Sequence, residues 1–238
     1  MLRTTDFTFT AIDNKAIITG CNYMSKEIII PELITSNGKD LSVVEIADRA
    51  FYEHNEIFSV SIPSTVSRVG RQAFSHCDNL TDMRLEDGNN IIMYDDIDFD
   101  EYRPPIKHLY LGRNLIAKDS AFSPFNSCPT LTEITIGDLV TFIGESAFID
   151  CVNIKVINFG KNLRHIKCGA FMNSLSLESI KLPPNLAIIE ALAFSGCEKL
   201  RKITLPPNTA IATNAFDHCP CANTTLELAR SIYSQSKK

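Results

Sequence analysis

A phenylalanine returns along this chain at an almost fixed interval, usually preceded by alanine and often followed three residues later by cysteine. The register residues are Phe51, Phe74, Phe125, Phe148, Phe171, Phe194 and Phe216, with steps of 23, 51, 23, 23, 23 and 22. A period in the twenties excludes an ordinary globule. It requires one supersecondary unit per repeat, each burying its apolar face against the next.

A second element recurs with the first: SVSIP, EITIG, VINFG, SIKLP and KITLP are short alternating runs that close on Pro or Gly. Alternation marks a strand with one buried face. The last apolar residues of this element are Ile62, Leu85, Leu111, Ile136, Phe159, Leu182 and Leu205, with steps of 23, 26, 25, 23, 23 and 23. One strand per coil, repeated in the same direction, builds a parallel sheet along one wall. Five residues before most register phenylalanines stands another apolar residue (Ile46, Val69, Ile143, Ile166, Ile189, Ile211), which points into the same core. The stretch around each phenylalanine, as in GESAFIDC, is too short for an independent helix and reads as one helical turn held by stacking. The expected class is therefore α/β: a solenoid with one parallel sheet and short helical turns.

These units resemble the BspA-like leucine-rich repeat family, over roughly Lys26 to Cys219, with LTEITIGDLVTFIGESAFIDC as the clearest copy. The resemblance implies a right-handed leucine-rich repeat solenoid. It also implies a surface or secreted protein that mediates adhesion and protein contacts.

The ends differ from the repeats. FTFTAIDNKAIITGC reads as two alternating runs around Asp13-Asn14, a hairpin that caps the first coil, so residues 1–25 form an N-terminal cap. The solenoid occupies 26–222. Residues 223–238, with a strand near Thr225 to Leu228 and a short amphipathic helix, form a C-terminal cap. The 51-residue step holds two coils plus five residues, and the extra chain falls in Glu86 to Pro105. That segment carries five acids between Asp95 and Glu101 and the aromatics Tyr94, Phe99 and Tyr102. An irregular segment on a regular scaffold is either a recognition loop or a tolerated insertion.

The chain's 238 residues carry 23 basic and 28 acidic side chains, a net charge of −5, and no basic stripe for nucleic acid. No apolar run reaches the roughly 18 to 20 residues of a membrane helix, and MLRTTDFTFT lacks the apolar core of a signal peptide. Either the protein is cytoplasmic or the chain starts after a removed export signal. Five of eight cysteines (Cys77, Cys128, Cys151, Cys197, Cys219) share the slot after a register phenylalanine, which predicts buried thiols. Their parallel Cβ directions do not favour bridges. Asp96, Asp98 and Asp100 resemble the first half of a calcium loop, but Glu101 and Lys107 stand where glycine and a bidentate acid are needed. No nucleophile, base or phosphate-binding loop departs from the repeat, so no catalysis, cofactor or metal is expected.

The expected function is binding of another protein or glycoprotein by a monomer, with a structural, self-assembling protein as the alternative. The outward strand residues supply the candidate surface: Asp82, Arg84, His108, Tyr110, Glu133, Thr135, Asn158 and Lys181. Tyr94, Phe99 and Tyr102 add the insertion. The sign of this surface changes along the chain, acidic in the middle and lysine-bearing towards the end, which suits a partner with complementary charge on each side.

Overall fold

The computed structural model describes residues 6–22, 25–94, 103–117 and 125–221. The chain forms two units, residues 1–119 and 120–238. Both are stacks of coils, and each coil runs strand, corner, second short strand, turn segment.

The first unit opens with β1 (Phe7–Ile12) and β2 (Lys15–Cys21), an antiparallel hairpin. Its two-residue turn has positive φ at both Asp13 and Asn14, the geometry that matches strand twist. After it come β3 (Glu27–Ile29), β4 (Leu33–Ser36), β5 (Lys39–Ile46), β6 (Ser59–Ile62), β7 (Arg68–Val69), β8 (Asp82–Leu85), β9 (Ile92–Tyr94), β10 (His108–Leu111) and β11 (Leu115–Ala117). Strands β3, β6, β8 and β10 lie side by side in parallel and form a first wall. A second wall runs β1-β2-β5-β7-β9-β11, with β4 antiparallel to β5. The single sheet expected from the sequence is thus two walls, because the residues before each register phenylalanine also pair from coil to coil. Likewise Ile92–Tyr94, inside the segment read as an insertion, is a regular strand in register with β7 and β11. Residues 95–102 of that insertion lie outside the described residues, and so do the sequence-predicted C-terminal strand and helix.

The second unit contains β12 (Glu133–Ile136), β13 (Phe142–Ile143), β14 (Val156–Asn158), β15 (His165–Ile166), β16 (Ser179–Lys181), β17 (Ile188–Ile189), β18 (Lys202–Thr204) and β19 (Ala210–Ile211). Its first wall holds the parallel pairs β12–β14 and β16–β18, and its second wall is the parallel sheet β13-β15-β17-β19. Gly160 shows why the corners need small residues. A Cβ there would lie 2.3 Å from the carbonyl oxygen of Gly137 one coil earlier.

Inside, the register phenylalanines form ladders. Phe51 and Phe74 stack with ring centroids 5.1 Å apart and 2° between planes. In the second unit Phe148, Phe171, Phe194 and Phe216 follow at 5.3, 5.3 and 5.2 Å. The coil repeat sets this spacing, since equivalent residues of adjacent coils are one strand separation apart. All five register cysteines are buried, and all eight cysteines are free thiols. Four thiols have a shared hydrogen-bonding role: Cys77, Cys151, Cys197 and Cys219 donate to the carbonyls of Phe51, Phe125, Phe171 and Phe194, each one coil back. Burial pushes the Cys77 thiol up to about 12. Ser174 takes the same slot, fully buried, but its hydroxyl finds no partner among the described protein atoms.

No α-helix occurs among the described residues, and none of the turns around the register phenylalanines is helical, which corrects the expected helical turns. The reason lies two residues either side of most register phenylalanines. Arg49 and Glu53 flank Phe51 with φ of 56° and 64°, and Ser146 and Asp150 flank Phe148 with 50° and 59°. Left-handed residues at this spacing break the uninterrupted right-handed run a helix requires. The N–H groups then divide their work. Arg49, Phe51 and Glu53 donate to Arg71, Ala73 and Ser75 of the next coil, while Ala50, Tyr52 and His54 donate three residues back. Half the turn's hydrogen bonds therefore cross between coils and tie this side of the stack together.

Candidate recognition surface

Alternation in the first-wall strands sends every second side chain outward, and parallel register places equivalent ones beside each other. Asp82 stands opposite His108, and Arg84 opposite Tyr110 and Ser61. In the first unit these side chains hold one another. The Tyr110 hydroxyl donates to Asp87 Oδ1 at 2.8 Å, and the Arg84 guanidinium carbon lies 3.7 Å from the Tyr110 ring centroid, a cation–π contact. Arg84 Nε also pairs with Glu86 Oε2 at 2.9 Å, and the Ser61 hydroxyl donates to the other oxygen of Glu86. Beside them His108 Nδ1 and Asp82 Oδ1 are 2.8 Å apart, while the Thr81 hydroxyl donates to Asp82 Oδ2 at 2.6 Å. Partial burial, reinforced by Asp87, holds the Tyr110 phenol above its ordinary range.

In the corner after β10 lies a residue that sequence reasoning missed. Arg113 is fully buried and reaches the corner of the β6 coil. Its Nη1 donates to the carbonyls of Ser64 and Val66 at 2.7 and 2.6 Å, and its Nη2 to Pro63 at 2.8 Å. Gly88 belongs to the coil between, and a Cβ on it would lie 3.5 Å from Arg113 Cδ. An arginine after a Gly corner reads as a surface residue in sequence, so nothing marked it in advance.

The second unit offers a looser face. Asn158 Nδ2 lies 3.3 Å from Glu133 Oε1 and 3.4 Å from Thr135 Oγ1, and Val156 is exposed. Lys181 and Lys202 are exposed, on neighbouring strands. Of the insertion aromatics, Tyr94 ends strand β9, while Phe99 and Tyr102 lie outside the described residues. The structure therefore forms two neighbouring bonded groups, Arg84 with Tyr110 and Asp82 with His108, and joins Glu133, Thr135 and Asn158 only weakly. Among the described residues no group of three or more His, Cys, Asp or Glu side chains is placed to hold a metal. Nor is any helix there long and apolar enough to cross a membrane.

Coils with a parallel strand wall, a stacked phenylalanine ladder and no helix define a leucine-rich repeat solenoid. The chain belongs to the BspA type leucine rich repeat region family, whose model matches residues 44–124 and 116–236 with six copies. Among solved structures it is similar to the T. pallidum leucine rich repeat protein, with 21% identity over 97% of this chain and 95% of that one and a TM-score of 0.59. A leucine rich cell surface protein of Faecalibacterium prausnitzii is 19% identical over 90% and 91% of the two chains, with a TM-score of 0.41. A leucine-rich repeat protein of Bacteroides ovatus gives 17%, 90%, 91% and 0.41. Comparison with curated proteins returns no match.

Proposed function

We propose that this protein is a non-enzymatic recognition module that binds another protein or a glycoprotein through the first-wall strand face of its first unit, centred on Tyr110. One observation carries the reading. Ser61, Arg84, Glu86, Asp87 and Tyr110 are held in place by each other on an otherwise regular surface. Side chains already fixed lose less conformational freedom on binding, so more of each contact appears as affinity. Tyrosine and arginine are also the residue types that most often dominate protein interfaces. An adhesive role at a cell surface is the finer form of this reading, supported by family membership and by what the F. prausnitzii relative is called.

Ser59 and Ser179 occupy equivalent outward positions in the two units. Placing a photo-crosslinking amino acid at each and identifying the captured protein tests the proposal. A partner captured from position 59 and not from 179 is the expected result. Capture from 179 alone moves the site to the second unit.

A further inference from the structure

The second wall of the first unit ends in an open edge. Strand β1 pairs with β2 on one side, and among the described residues no strand pairs with its other side. Which backbone groups face outward follows from the turn. A two-residue turn makes Ile12 and Lys15 a hydrogen-bonded pair, so the N–H and C=O of Ile12 and Thr10 point to β2. Those of Ala11 and Phe9 point away. The strand sequence, FTFTAI, contains no charge and no proline, and Thr10, Ala11 and Ile12 are exposed.

Proteins normally guard such an edge with shortness, charge, proline or a bulge. The first strand of the other wall is guarded. Strand β3 has only three residues, begins with the charged Glu27 and is followed by Pro31 two residues past its end. In β1 none of these is present: the one irregularity is the extra residue Thr19 of β2, opposite the Thr8/Phe9 step, and it leaves Phe9–Ile12 regular.

We propose that β1 is a self-association edge, pairing antiparallel with β1 of a second copy across a two-fold axis to form a dimer. A second copy is the occupant this edge fits best. Antiparallel pairing of identical strands uses the same residues from both sides and closes, leaving no β1 edge free. Nothing charged in β1 opposes its own image, and threonine facing threonine is a favourable cross-strand pair. The sequence alone led to the expectation of a monomer, since an unguarded edge becomes visible only once β1 is known to end the wall.

The test is sedimentation velocity on the full chain between about 1 and about 100 µM, the range in which a modest interface changes its occupancy. The expected result is a shift from 26.5 kDa towards twice that mass. Thr10→Lys sets like charges facing across the axis, and Ala11→Pro removes an outward N–H without costing a bond to β2. Each should weaken association by on the order of tenfold or more with unchanged far-UV circular dichroism. Should the proline variant misfold, the lysine variant at an exposed position decides. A wild type that stays monomeric throughout, a dimer indifferent to Thr10→Lys, or growth into open-ended assemblies overturns the proposal.

Discussion

The two units share one repeat and use it differently. In the second, four ring contacts join five consecutive phenylalanines, the steps are 23, 23, 23 and 22, and the outward side chains of the first wall touch each other weakly. In the first, the described ladder is a single pair of rings. Around it are an antiparallel hairpin, a buried arginine and an interlocked polar face. Regularity concentrates stability in the ladder, and departure from it supplies features that repetition cannot. A side chain that recurs in every coil serves the stack. Tyr110, Arg84 and Arg113 do not recur.

The sharpest way to break this comparison is to remove a rung. Phe148→Ala, with Phe125 and Phe171 stacked on either side, should cost about 3 to 5 kcal/mol. Hydrogen exchange should loosen the neighbouring coils along with its own, because stability in a stack depends on adjacent repeats. Loosening confined to residues near 148 would show that the coils of the second unit are independent.

Arg113→Met should cost about 2 to 3 kcal/mol, since three corner carbonyls lose charged donors inside the protein. Urea unfolding gives the magnitude. Exchange at the β6 corner gives the location, and an effect seen mainly in the second unit would contradict the assigned role.

High pH offers a gentler probe. Burial pushes the Cys77 thiol to about 12 from an ordinary 9, and Cys219, where the contact with the Cys197 thiol is the main cause, also stands at about 12. The folded state therefore keeps protons that the unfolded state releases, so this stability is complete below pH 9 and is lost as pH rises towards 12. Each thiol can account for at most about 1.4 kcal/mol per pH unit in that window. Cys77→Ala and Cys219→Ala should each flatten the fall, measured by denaturant titration between pH 8 and 11.

The smallest effect should be a gain. Ser174→Cys gives the one buried hydroxyl of this slot a longer reach towards Phe148, whose carbonyl is where the other thiols' pattern points. A stabilisation of about 0.5 to 1.5 kcal/mol is expected, and a loss would show that the slot is shaped for oxygen.

Much of this was legible in the sequence, because burial in a stack is periodic. The phenylalanine spacing located the coils, the alternating runs located the first-wall strands, and Asp13-Asn14 located the hairpin. Helical turns were expected wrongly. The left-handed positions that prevent a helix are occupied by residues such as Arg49, Gln72, Ser146 and Leu192, which local propensity does not mark as left-handed. Ile211 also falls short of its expected burial and is half-exposed in the last described coil. The candidate face was readable as a row of outward residues, since strand register follows from the repeat. Its bonding was not, because the contacts of Arg84 with both Tyr110 and Glu86 depend on side-chain directions that spacing leaves open.

The proposed recognition surface is the bonded face of the first unit. Its most direct test is the affinity of the cross-linked partner for three forms of the protein: wild type, Tyr110→Ala, and the Asn158→Ala/Lys181→Ala double variant. A loss on the order of tenfold for Tyr110→Ala, with the double variant within about twofold of wild type, is the predicted result. Wild-type affinity in Tyr110→Ala together with a loss in the double variant would contradict it.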